Sequence, residues 1–178
     1  MAKENNSAQA ARNAVFNRAP EPWQEVVRLE YGGDGTFASA IEQAVRGASA
    51  AECAELEKRL VGVLAEEKCT RAARDFVCRM LALAGSEACV PALVPLLRDS
   101  QTADMARLAL EPIPGAAVDA ALRDALPELR GEALLGLIGT LGLRRNPAAV
   151  PALETLKNSS ADAAMREAAA RAITFIGQ

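Results

Sequence analysis

The segment Ala88-Cys89-Val90-Pro91-Ala92-Leu93-Val94-Pro95-Leu96 returns 60 residues later as Ala148-Ala149-Val150-Pro151-Ala152-Leu153-Glu154-Thr155-Leu156. Met105 and Ile113 return as Met165 and Ile173 at the same offset. A weaker copy, Ala117-Val118-Asp119-Ala120-Ala121-Leu122, divides the 60 into steps of 28 and 32. The unit is therefore about 30 residues, enough for two helices and their turns. A helix pair of this size cannot bury its apolar face alone, but stacked copies can share one core.

Composition agrees with an all-α chain. Apolar residues make up 51% of the sequence and aromatic residues only 3%. The apolar share is carried mostly by Ala, Leu and Val, and the first two are strong helix formers. A sandwich or barrel draws more heavily on β-branched and aromatic residues.

Spacing and punctuation predict helices at about 22–31, 36–47, 50–66, 70–84, 88–98, 103–111, 116–127, 131–143, 148–157 and 162–176. Pro22 suits a first helical turn, and Trp23, Val26, Val27 and Tyr31 follow at helical spacing. Gly85-Ser86 closes one helix and starts the next, and Asn146-Pro147 pairs a cap with a first-turn proline. Pro112 and Pro114 stop the helix holding Leu108 and Leu110. Residues 1–20 read as a flexible arm with a short helix at 7–18, from which Val15 and Phe16 dock on the body. Residues 21–178 read as the repeat array, in units of about 22–47, 50–84, 88–113, 116–143 and 148–177.

Val-Pro-Ala-Leu on a first helix, a polar turn, and Ala-rich second helices such as Met165-Arg166-Glu167-Ala168-Ala169-Ala170-Arg171-Ala172-Ile173 resemble HEAT-like repeats, including the bacterial PBS-lyase type. The resemblance covers about 50–178 and is strongest at 85–98 and 142–177. It implies a right-handed α–α superhelix of about four to five helix pairs, with the second helices lining the concave side. The class includes scaffolds, bilin-lyase subunits and relatives of DNA glycosylases, so it specifies fold better than function. Glu111-Pro112-Ile113-Pro114 departs from its uninterrupted second helix and should shorten that helix.

No histidine occurs, which removes Ser-His-Asp and Cys-His catalysis. Cys53, Cys69, Cys78 and Cys89 form no CxxC pair and read as small apolar residues of a reducing compartment, with no metal or cofactor assigned. Glu128 and Glu132 have helical spacing, but a turn at 127–131 interrupts it. Gly32-Gly33-Asp34-Gly35 lacks the spacing of a phosphate-binding loop and reads as a turn, with Asp34 or Thr36 capping the next helix. A net charge of −3 argues against a general nucleic-acid binder. With no apolar run of membrane-spanning length and no signal-peptide pattern at Met1, the chain is expected to be cytoplasmic.

The sequence thus favours a non-enzymatic scaffold for a protein or peptide, with a subunit or accessory module of an enzyme such as a bilin-lyase-like protein as the alternative and a nucleic-acid-binding HEAT-like protein ranked below it. With Phe76, Val77, Met80 and Leu81 facing the core, Arg71, Arg74, Asp75 and Cys78 are expected on the opposite face of their helix. Later second helices add Asp104, Arg107 and Glu111, then Arg166, Glu167 and Arg171. The candidate partner-binding residues are therefore Arg71, Arg74, Asp75, Arg107, Glu111, Arg166 and Arg171. This strip suits an acidic or phosphate-like partner, whereas the competing reading is a solvated face of intrahelical ion pairs. Gly136, Gly139 and Gly142 sit three apart in one helix. Each interior glycine costs roughly 1 kcal/mol against Ala, so close helix packing is expected in return.

Overall fold

A computed structural model describes residues 15, 16 and 21–178. The described residues form ten α-helices and no strand: α1 (Glu21–Val27), α2 (Thr36–Arg46), α3 (Ala50–Ala65), α4 (Arg71–Ala84), α5 (Val90–Arg98), α6 (Ala103–Leu110), α7 (Ala116–Asp124), α8 (Gly131–Arg144), α9 (Val150–Ser159) and α10 (Ala163–Ile176). Short 3-10 turns, Glu87–Cys89 and Pro147–Ala149, lead into α5 and α9. The chain divides into two compact units, Met1–Ala92 and Leu93–Gln178, with the division inside α5.

In the first unit α1 pairs with α2 and α3 with α4, while α1 also packs on α3 and α2 on α4. First helices thus stack on first helices and second on second. In the second unit α7 pairs with α8 and α9 with α10, and the second helices pack in the order α6, α8, α10.

Local chemistry fixes the helix starts. Ser49 and Glu52 form a reciprocal capping box on α3. Thr70 accepts from Ala73 N at the start of α4 while its own N–H donates to Val27 O at 3.0 Å, so one residue caps α4 and ties it to the end of α1. Ser86 and Asn146 hold equivalent places before the two 3-10 turns and accept from Ala88 N and Ala148 N.

These two caps also reach back to an earlier first helix. The N–H and hydroxyl of Ser86 donate to the Glu57 carboxylate on α3, at 2.7 and 2.8 Å. The side-chain amide of Asn146 donates to Asp119 on α7 at 2.7 Å. Glu57 is 6% exposed, so its partners answer a real desolvation cost. The long-period repeat therefore extends beyond the apolar residues to a polar clasp.

Burial follows the repeat. Leu93 and Leu153 are both fully buried, Cys89 and Ala149 are buried before them, and Pro91 and Pro151 are exposed. Val90 and Leu97 are also buried, but Val150 and Leu156 are only half-buried, because α9 packs chiefly on α10 and keeps an uncovered flank. The first helix ends at Val27, short of the expected 31, and leaves Tyr31 65% exposed in the following turn. Cys78 is buried rather than placed on the polar face. Its helix packs on both α2 and α3, and more than half of its circumference is covered. Of the arm, only Val15 and Phe16 fall within the described residues, both helical, with Val15 fully buried.

Helix α6 has eight residues, against 14 in α4, α8 and α10, so the prolines do shorten it. Proline at 112 and 114 withholds the N–H groups that would serve Leu108 and Leu110. Arg144, from the end of α8, donates to the carbonyls of Leu110, Glu111 and Ile113 at 3.3, 2.7 and 2.7 Å.

Candidate functional site

The seven candidate residues lie on the second helices α4, α6 and α10 or, for Glu111, immediately after α6. Their surroundings differ. On α4, Arg71 is exposed and Asp75 forms an ion pair with Arg79 one turn on. Arg74 is half-buried beside the Cys69 thiol. Burial pushes that thiol up, and Arg74 pulls the other way.

On α6, Arg107 turns towards α8. Its side chain is 15% exposed and donates to Thr140 Oγ1 at 2.9 Å, with Asp104 at 3.3 Å and Glu111 at 3.5 Å completing its partners. The Thr140 hydroxyl, itself buried, donates to Glu111. A Cβ at Gly136 would sit 2.9 Å from Arg107 Nε, so that glycine makes the seat for the guanidinium. Arg107 and Glu111 thus tie α6 to α8.

On α10, Arg166 is exposed and donates to the Ser160 and Ala161 carbonyls at 2.9 and 3.0 Å, closing the turn before its own helix. Arg171 pairs with Glu167 one turn earlier on an exposed face. Ion pairs within one helix neutralise much of the strip, and each exposed pair contributes only about 0.3–0.5 kcal/mol.

A different set of groups is left in water at one position of the second helices. The thirteenth residues of the three 14-residue helices are Leu83, Leu143 and Phe175, which are 54%, 63% and 46% exposed. Leu83 and Leu143 are 60 apart and Leu143 and Phe175 are 32 apart, the same steps that relate the Val-Pro-Ala-Leu copies. The shorter α6 exposes Leu108 to 53%. That recurrence was present in the sequence, but periodicity alone gives each helix an apolar stripe without saying which of its members stays uncovered.

One turn before these residues stand Arg79, Gly139 and Arg171. Gly139 is exposed, and a Cβ there would meet nothing within 4 Å. Gly142, by contrast, would place a Cβ 2.9 Å from Ala172 Cα, so the expected close packing holds at Gly142, where α8 meets α10.

The remaining chemistry is sparse. All four cysteines are free; Cys69, Cys78 and Cys89 are buried and Cys53 is half-buried. No group of three or more metal-ligating side chains comes together among the described residues. Glu128 lies between α7 and α8 and pairs with Arg98 at 3.1 Å, while Glu132 belongs to α8. The turn at Gly32–Gly35 borders a cleft of about 290 Å³ with Glu25, Glu30 and Phe37 in its lining. There Asp34 accepts from the Thr36 N–H and hydroxyl at 2.9 and 2.6 Å, which holds its carboxyl below the usual range. No described helix is long and apolar enough to cross a membrane. No known protein family, curated protein or solved structure matches the chain.

Proposed function

We propose that this chain is a non-enzymatic scaffold of the HEAT-like repeat class. In this reading its helix pairs form one right-handed superhelix, and a protein or peptide partner lies on the exposed face of the second helices. In the first unit first helices stack on first and second on second, and in the second unit the second helices pack in succession, which supports the architecture. The observation that carries the function is the recurrence of Leu83, Leu143 and Phe175 in water at one position of the repeat. Single exposed leucines are ordinary. A large apolar residue kept at one repeat position, while the position one turn earlier changes from Arg to Gly to Arg, fits a surface that is covered on binding.

The charged candidates divide under this reading. Arg171 stands one turn before Phe175, while Arg71, Arg74, Asp75 and Arg166 lie elsewhere on the same second helices; as charges outside the apolar positions they tune orientation and association rate. Arg107 and Glu111 hold α6 against α8 and shape the surface from below. Affinity purification from native lysate supplies the partner, and surface variants test the face. Leu143→Asp combined with Leu83→Asp is expected to weaken binding at least tenfold with helicity and thermal stability unchanged. Arg71→Ala with Arg171→Ala is expected mainly to alter the salt dependence. Undiminished affinity in the leucine variant, correctly folded, would remove this face from consideration.

A further inference from the structure

Residues of α5 and α6 reach across to the α7–α8 pair that follows them. Helix α6 packs on both α7 and α8. Arg98, at the end of α5, pairs with Glu128 beyond α7 at 3.1 Å, and Arg107 donates to Thr140 on α8 at 2.9 Å. Leu97, Ala106 and Leu110, from the same two helices, are fully buried.

The residues 60 further on belong to α9 and α10 and have a different chemistry. Leu97 is answered by Lys157, Ala106 by Arg166 and Leu110 by Ala170, while Arg98 and Arg107 are answered by Asn158 and Glu167. Asn158, Arg166 and Glu167 are exposed, and Lys157 and Ala170 are half-buried. Ala163 is the same residue as Ala103, yet it is exposed where Ala103 is buried. The charged groups find their partners at home. Lys157 pairs with Glu154 on its own helix at 2.7 Å, Arg166 donates to the carbonyls of the turn before its own helix, and Glu167 pairs with Arg171. Covering this edge would strip water from Arg166, whose partners are neutral carbonyls, and leave its charge without a counter-ion. Alanine at 170 also removes the leucine that would fill the contact.

We propose that α9–α10 is a capping pair, whose outer edge is held in water and keeps a second copy of this chain from stacking its helices there. An array of stacked helix pairs with adhesive edges associates end to end, and a polar outer face on a terminal pair prevents it. The inference needs only the 60-residue correspondence and does not rest on the scaffold reading.

The test restores the internal chemistry in the full-length chain. Glu154→Val, Lys157→Leu, Arg166→Ala and Ala170→Leu together recreate the residues found 60 positions earlier. Sedimentation velocity over about a hundredfold range of concentration measures self-association. The restored variant should form a dimer, edge to edge and related by a twofold axis, at least tenfold more tightly than the unaltered chain associates. Returning Lys157 and Arg166 to that variant should abolish the gain. Leu143→Asp in the restored background should leave the gain intact, which separates this edge from the second-helix surface. Ala163→Glu in the unaltered chain should leave its mass unchanged. If the fourfold variant does not fold, Lys157→Leu with Ala170→Leu carries the same expectation. A folded variant that associates no more tightly than the unaltered chain overturns the proposal, and so does an unaltered chain whose self-association Ala163→Glu weakens.

Discussion

Arg144 and Asp119 form an ion pair at 2.6 Å, with side chains only 9% and 19% exposed. The same guanidinium serves three carbonyls near the end of α6, and the other carboxylate oxygen serves Asn146. One residue therefore binds the end of α6, the start of α7 and the entry to α9 through its acid partner. Removing one member of a buried pair leaves the other uncompensated, at a cost of about 3–5 kcal/mol. Arg144→Ala should lower stability by that amount in urea denaturation. Arg144→Lys should recover only part of it, because an ammonium cannot span several carbonyls and a carboxylate at once.

Leu93→Ala and Leu153→Ala should each cost about 2–5 kcal/mol, since both side chains are fully buried at equivalent positions. Leu156→Ala should cost less, because that residue is half-buried. Equal losses at Leu153 and Leu156 would contradict the register.

The glycines of α8 should respond with opposite signs. Gly142→Ala would drive a methyl against the backbone of Ala172 and should destabilise by about 1–3 kcal/mol. Gly139→Ala meets open space and should stabilise by about 0.5–1 kcal/mol through helix propensity. Arg145, at φ 53° just after α8, is the one described non-glycine residue in the left-handed region, and Arg145→Gly should stabilise by up to about 1 kcal/mol. Relief of a left-handed cost of about 1–2 kcal/mol exceeds glycine's entropic cost of about 0.5–1 kcal/mol. Thermal melts of the three variants measure these signs directly.

Burial pushes the thiols of Cys78 and Cys89 up to about 12, with Asp75 and Glu57 respectively adding to the effect. The folded protein therefore holds these protons more tightly than the unfolded chain, whose thiols titrate near 9.0. The contribution to stability is fully present below that value and is lost as pH rises from about 9 to about 12. Replacing both cysteines with Ala should flatten this part of the stability–pH curve. Alkylation at pH 8 should modify half-buried Cys53 in the native protein and reach the three buried cysteines only after unfolding.

Helix positions were legible because local signals mark them: Gly85-Ser86, Asn146-Pro147 and Pro112 all fall where helices stop or start. What those ends bind was not legible. No local pattern singles out Glu57 or Asp119, because their partners lie 29 and 27 residues away. Helical spacing put Arg107 with Asp104 and Glu111 on one face, but it could not reveal that α8 lies against that face. Gly136 was the available signal, a missing side chain opposite a bulky cation. Cys78 was misplaced for a related reason: one polar stripe was inferred for a helix that two neighbours cover. Tyr31 continued the spacing of α1 after the backbone had already turned.

The clasps of Ser86 on Glu57 and Asn146 on Asp119 each join a helix start to an acid on an earlier first helix. Each acid and the cap it receives belong to different hairpins, so excising a single hairpin strands a carboxylate or a cap. Each clasp thereby makes the start of one helix pair depend on an acid in the pair before it.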